Sequence, residues 1–217
     1  MHYHLGRFLR AKGDFDGAIA AIGAAARLKP DDASNRRGLT ATERLKALRP
    51  QLPALLDGMQ EPGSAADAAA LATLAETQGR HAAAVRLYAA AFDADPKLAE
   101  DQDASHRYDA ASSAALAGSG HGRDAPPADV DRAGLRRQAL AWLEADLVAR
   151  AERLRLASPK DAVESRNELV KWRYDFDLAP IREAAFLDKL PEAERAQWRA
   201  FWAEVNRVLR AEPAARP

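Results

Sequence analysis

His2 and His4 stand two residues apart, the spacing of some metal ligands. On a helix such residues point in different directions and cannot share one ion. No carboxylate cluster accompanies them, so a metal site is not expected. Ser112 and Ser113 lie among alanines with no histidine at fixed spacing. A serine nucleophile needs a base within hydrogen-bond reach, so both read as small packing residues. The tripeptides "HRY" from His106 and "DFD" from Asp175 superficially match fragments of phosphoryl-transfer sites. Neither continues as that chemistry requires, and no glycine-rich phosphate loop or paired lysine precedes them. Arg132, Arg136, Arg137, Arg150, Arg153 and Arg155 form a basic run. Asp131, Glu144, Asp146 and Glu152 are interleaved with them, which reads as a solvated, salt-bridged helix face rather than a nucleic-acid contact. No catalytic residue, metal or cofactor is implied.

The elements that would position any site are helices. In 217 residues, Lys+Arg and Asp+Glu number 32 each and cysteine is absent. The balanced charge provides no global attraction to nucleic acid or an anionic membrane. The lack of cysteine excludes disulfides and thiolate chemistry. No apolar run approaches the ~20 residues needed to cross a bilayer. The beginning, "MHYHLGRFLRAKG", is amphipathic and lacks the apolar core of a secretory signal. Alanine, leucine, arginine and glutamate dominate while strand formers are scarce, so an all-α, cytoplasmic protein is expected.

Two stretches repeat at a constant offset: "GDFDGAIAAIGAAARLKP" from Gly13 and "GRHAAAVRLYAAAFDADP" from Gly79. Gly13 aligns with Gly79, Ala18 with Ala84, Ile22 with Tyr88, Ala25 with Ala91 and Pro30 with Pro96; Leu5-Gly6 falls on Leu71-Ala72. The glycines suit a tight inter-helix turn and the alanines permit close helix approach. Ile22 and Tyr88 supply the bulky knob, and the prolines end each second helix. Between the copies, Ser34 to Leu48 reads as one helix with Leu39, Leu45 and Leu48 at helical spacing. Pro50 and Pro53 then reduce its partner to a short turn, Leu52 to Leu56, followed by the loop "QEPGSAAD".

This pattern resembles the tetratricopeptide repeat, with its Leu-Gly pair, alanine, aromatic knob and closing proline, and the offset is close to two units of about 34 residues. The resemblance implies a short solenoid of helical hairpins. A further first helix runs from His106 to Gly118, a loop rich in Gly, Pro and Asp follows, and a long second helix carries Leu135, Ala139, Trp142, Leu143, Leu147 and Leu154 on one face. The expected organisation is a repeat solenoid over 1–157, with a degenerate unit near 33–58 and a long loop near 119–131, and a helical cap over 158–217. The cap should start with Ser158 as N-cap, Pro159 in the first turn and Asp161 favoured by the helix dipole. Its last helix places Trp198, Phe201, Trp202, Val205 and Leu209 on one stripe, expected to dock back on the solenoid.

Five segments, "YHLGRFLRAKGDFDGAIAAI", "RHAAAVRLYAAAFDADPKLA", "HRYDAASSAALAGSGHG", "RRQALAWLEADL" and "LDKLPEAERAQWRAFWAEVNRVL", together resemble the helical-repeat region C-terminal to the catalytic domain in a group of large bacterial serine/threonine protein kinases. Asp109 stands where such members usually have Asn, and Ser112 near where they have Cys. The resemblance implies a non-catalytic protein–protein interaction scaffold. The alternative is a structural spacer or dimerisation element without a groove ligand.

In such a solenoid the first helices line a concave groove that takes a peptide or protein segment. With Leu5 and Leu9 turned inward, Tyr3, Arg7 and Arg10 fall on the outer side of the first helix, Thr73 and Glu76 match them in the later repeat, and Tyr108 and Ser112 follow. The chaperone-tail binders of the tetratricopeptide class grip a terminal carboxylate with Lys and Asn at such places. Tyr3 and Arg7 stand there here, so no carboxylate clamp of that type is expected. Leu5, Phe8 and Leu9 also look prepared for a preceding neighbour, which joins with the kinase-tail likeness in an expectation that the chain derives from a longer protein.

Overall fold

The computed structural model describes residues 2–156 and 158–211. Twelve α-helices and no strand are found among the described residues, so the protein is all-α. No helix among them is long and apolar enough to cross a membrane. The chain divides into two compact units, residues 1–106 and 107–217.

The first unit begins with α1 (His2–Ala11) and α2 (Phe15–Leu28), an antiparallel hairpin. Its copy is α5 (Ala65–Thr77) and α6 (His81–Ala94). The equivalence extends to the turns. Gly13 and Gly79 adopt φ of 80° and 69°, a left-handed conformation that only glycine adopts without strain. Their N–H groups donate to Arg10 O (3.0 Å) and Glu76 O (2.8 Å). The next amides, Asp14 and Arg80, reach back to Leu9 O (3.0 Å) and Ala75 O (2.8 Å). Ala18, Ala84, Ile22 and Tyr88 have no exposed surface, and Ala25 and Ala91 are buried with them. Pro30 and Pro96 are exposed, so they stop the helices without entering the packing.

Between the hairpins, α3 (Ala33–Ala47) is capped by Asp32, which accepts from Ser34 N at 2.9 Å. A 3-10 turn over Arg49–Gln51 and the five-residue α4 (Leu52–Leu56) follow, as the two prolines predict. α3 packs on α2 and α5, and α1 also touches α5. The short α7 (Lys97–Glu100) closes the unit.

The second unit holds α8 (His106–Gly118) from its second residue on, α9 (Asp129–Leu156), α10 (Pro159–Trp172), α11 (Ala184–Leu187) and α12 (Glu192–Arg210). α9, α10 and α12 pack on one another. The boundary expected at 157/158 therefore falls inside this unit. Ser158 precedes α10, its carbonyl accepting from Ala162 N at 2.9 Å, while the side chains of Pro159 and Asp161 lie outside the described residues. The stripe of α12 is buried as Trp198, Phe201, Trp202, Val205 and Val208; Val208 takes the place expected for Leu209. The basic run on α9 departs from the expected solvated face. Arg136, Asp146 and Arg150 are buried because they share one stripe of the helix with the buried Ala139, Leu143 and Leu147, the stripe that packs inward. Arg136 reaches Gly118 O (2.7 Å) and forks onto Glu194, while Arg150 Nε donates to Asp146 at 2.8 Å. Arg155 and Glu152 remain an exposed pair.

Candidate functional site

The rotation of α1 about its own axis decides what the first hairpin presents. Gly6 is the point of closest approach to α2: a Cβ there would lie 2.3 Å from Ile22 Cγ1 and 3.1 Å from Ala18 O. With Gly6 against α2, the residues three before and four after it turn inward with it. Arg10 is accordingly only 4% exposed and Tyr3 half-buried, whereas Leu5 is 49% and Phe8 59% exposed. This corrects the expected orientation, in which Leu5 and Leu9 faced in and Arg10 faced out; Leu9 is half-buried. Arg7 is exposed, as expected. Tyr3 lies across α3, where a Cβ on Gly38 would meet its Cε2 at 2.8 Å.

On the facing hairpin, Thr73 Oγ1 donates to Ala69 O (3.1 Å) and lies 3.4 Å from the Tyr88 hydroxyl. The Tyr88 hydroxyl donates to Glu76 Oε2 at 3.1 Å. Arg10 stands within electrostatic reach of Tyr3, Arg7, Tyr88 and Glu76. Burial pulls its guanidinium below the usual arginine range, against the opposing pull of Tyr3 and Glu76. The fold thus gathers Tyr3, Arg7, Arg10, Thr73 and Glu76 into one neighbourhood of the first unit. It adds Tyr88, which the repeat pattern identified only as a packing knob; its being Tyr where the first copy has Ile22 was the available signal of a polar role.

Tyr108 and Ser112 belong to the second unit, apart from the other expected groove residues. Ser112 is buried. Tyr108 stacks on Trp172 with centroids 5.3 Å apart and donates its hydroxyl to Asp175 Oδ2 at 2.6 Å. Burial, and then that hydrogen bond, raise its pKa far above the ordinary tyrosine value. Asp175 Oδ1 accepts from Asp177 N at 2.9 Å, so the "DFD" segment is a tied turn. Arg182 adds donors to Trp172 O (3.0 Å) and Asp175 O (2.7 Å). At the end of the first unit the His106 ring lies 5.9 Å from Tyr88, and burial lowers its pKa. His2 and His4 are both exposed, His4 edge-on to Tyr3 at 6.0 Å.

Repeated hairpins with glycine turns, small contact residues and one bulky knob each give an all-α fold of tetratricopeptide-like helical hairpins. A family model described as tetratricopeptide repeat matches residues 1–32, the span that holds α1 and α2. Neither a curated protein nor a solved structure matches the chain. Tetratricopeptide repeats in general mediate protein–protein interaction.

Proposed function

We propose that the chain is a non-catalytic interaction scaffold that binds a peptide or protein segment over the first unit, at Tyr3, Arg7, Arg10, Thr73 and Glu76. The supporting observation is the convergence of these polar and aromatic side chains from α1 and α5 on the packed hairpins of the first unit. Preformed, partly buried polar groups hold a ligand at lower entropic cost than mobile surface residues do. Selection from a random peptide display library, followed by calorimetry of the selected peptide, tests the reading. Saturable binding weakened at least tenfold by Arg7→Ala or Thr73→Val supports it. No selectable peptide, or binding indifferent to both changes, overturns it.

The exposure of Leu5 and Phe8 favours the second reading, a dimerisation element, because contiguous apolar residues on a helix face seek cover. A concentration-dependent dimer abolished by Phe8→Ser, with no peptide bound, identifies that case. The narrower proposal, a cytoplasmic tail region of a serine/threonine kinase or a derivative of one, rests on the quoted segments alone. Kinase motifs encoded in the DNA upstream of the Met1 codon support it, and an unrelated upstream gene refutes it.

A further inference from the structure

We infer that the turn from Asp101 to His106, by which the chain leaves the first unit, is an acid-released latch with the His106 imidazole as its catch. The turn is held by few bonds. Asp101 Oδ1 accepts from Asp103 N and Ala104 N (both 3.0 Å), and Ser105 N donates to Asp101 O at 3.1 Å. Arg37 of α3 donates to Asp103 O at 2.8 Å and so fastens the turn to the repeat packing. The His106 ring is half-buried beside Tyr88 of α6, and its Nδ1 is closed to solvent without a hydrogen-bond partner. Ser105, the residue before it, has φ of 59°, a left-handed conformation that strains a serine.

A neutral imidazole tolerates this place, because Nδ1 can be the nitrogen that carries no proton. Protonation turns Nδ1 into a donor with nothing to accept from it. The new charge also falls on the first residue of α8, at the positive end of that helix's dipole. Three titratable groups act on or touch the ring: Arg37 from α3, Tyr88 from α6 and Asp101 from the turn itself. Arg37 repels the imidazolium. Asp101 attracts it, but its carboxylate is already committed to two amides of the turn. Burial is the largest influence and, with Arg37, holds the ring's pKa below the ordinary histidine value. The catch therefore contributes in full above the solvated imidazole value of about 6.5, and that contribution is lost as pH falls through the lower value of the docked ring. Release frees Ser105 of its strain and gives His106 Nδ1 and the similarly orphaned Gln102 Oε1 access to water.

The test is a titration of the full 15N-labelled chain from about pH 7.5 to about pH 5, a range that leaves carboxylates largely ionised. Magnetic resonance follows the ring nitrogens of His106 and, in the same samples, the hydrogen-exchange protection of the Asp103, Ala104 and Ser105 amides, corrected for the intrinsic pH dependence of exchange. The inference predicts a ring midpoint below about 6.5. Protection of the turn should fall between about pH 6.5 and that midpoint, about tenfold for each pH unit separating the two, while amides of α5 and α6 keep theirs. His106→Gln, which cannot titrate, should show no fall across the range. A ring midpoint at or above 6.5, turn protection that stays flat while the ring titrates, or an acid-induced fall that persists in His106→Gln, overturns the inference. Should glutamine leave the turn unprotected at every pH, the match between ring midpoint and lost protection in the wild-type chain decides alone.

Discussion

Gly6→Ala is expected to destabilise the first unit although alanine is the better helix former. Replacing a helical glycine by alanine ordinarily contributes about 1 kcal/mol of stability. At Gly6 the new Cβ would fall 2.3 Å from Ile22 Cγ1 and 3.1 Å from Ile22 Cδ1, where ordinary contact begins at 3.4 Å. Ile22 has no exposed surface and a β-branched side chain, so it cannot swing clear. Ala18 O, 3.1 Å away, is backbone and yields no more easily. Overpacking of this kind costs about 1–3 kcal/mol, which offsets the propensity gain and leaves a net loss of up to about 2 kcal/mol. The α5–α6 hairpin provides an internal comparison, since Ala72 occupies the equivalent place there and is fully buried. The assay is urea unfolding followed by helical ellipticity for wild type, Gly6→Ala, Ile22→Ala and the double variant. Ile22→Ala alone costs about 2–5 kcal/mol. With Cγ1 and Cδ1 gone, adding alanine at position 6 should become neutral or stabilising by up to about 1 kcal/mol, so the two changes must couple. A Gly6→Ala protein as stable as wild type, or the same cost in both backgrounds, would refute the assigned rotation of α1 and with it the burial of Arg10.

In the second unit, Arg150→Ala should destabilise by about 3–5 kcal/mol by stranding the buried Asp146 charge, whereas Asp146→Leu with Arg150→Met should be close to neutral in thermal unfolding. Tyr108→Phe should cost about 1 kcal/mol at neutral pH through its lost hydrogen bond to Asp175. Because folding raises the Tyr108 pKa, its contribution is complete below the unfolded value of about 10 and is lost as pH rises above it. The stability gap between wild type and Tyr108→Phe should therefore narrow in alkaline denaturation curves, and a widening gap would contradict the assignment. Brief trypsin treatment should cut first after Arg123, in the exposed segment between α8 and α9, as mass spectrometry of the fragments will show; earlier cleavage within α5 or α6 would contradict the hairpin packing.

The repeat was legible because its signals are local. Gly13 and Gly79 mark turns by backbone geometry, Pro50 and Pro53 break a helix by their lost donors, and each acts within a few residues of itself. The extent of α8 and the position of α4 follow from the same local chemistry. The segment between α8 and α9 was expected to persist to Asp131, but Asp129 and Asp131 enter the first turn of α9, where the helix dipole favours acids. The rotation of α1 was not legible from its leucines. "HLGRFLRAKG" offers apolar residues on more than one face, and only the partner's shape at Ile22 shows that the glycine, not Leu5, faces inward. The burial of Arg136, Asp146 and Arg150 is hidden in the sequence for a similar reason. Their alternating signs fit a solvated face and a buried pair equally well, and only the packing of α9 on α10 and α12 distinguishes the two.

The irregular middle unit, the part least like a repeat, does most to form the candidate site. α4 has five residues where a full second helix would stand, and its terminal carbonyls need partners that a continuing helix would have supplied. Arg86 Nη2 meets Leu55 O (2.8 Å) and Leu56 O (3.2 Å), and Arg80 Nη2 meets Leu56 O (3.3 Å) and pairs with Asp57. The third hairpin is thereby fastened to the stump of the second. With the intervening helix so short, α5 packs on α3 and also reaches α1, bringing Glu76 and Tyr88 into range of Arg10. A regular solenoid keeps each repeat in contact with its immediate neighbours alone. Here the first and third hairpins meet, and the prolines that break the pattern are the residues that permit it. The polar chemistry gathered on this unit is therefore a product of the departure from the repeat, which is why the periodic positions located the helices and left unseen the side chain, Tyr88, that links Thr73 to Glu76.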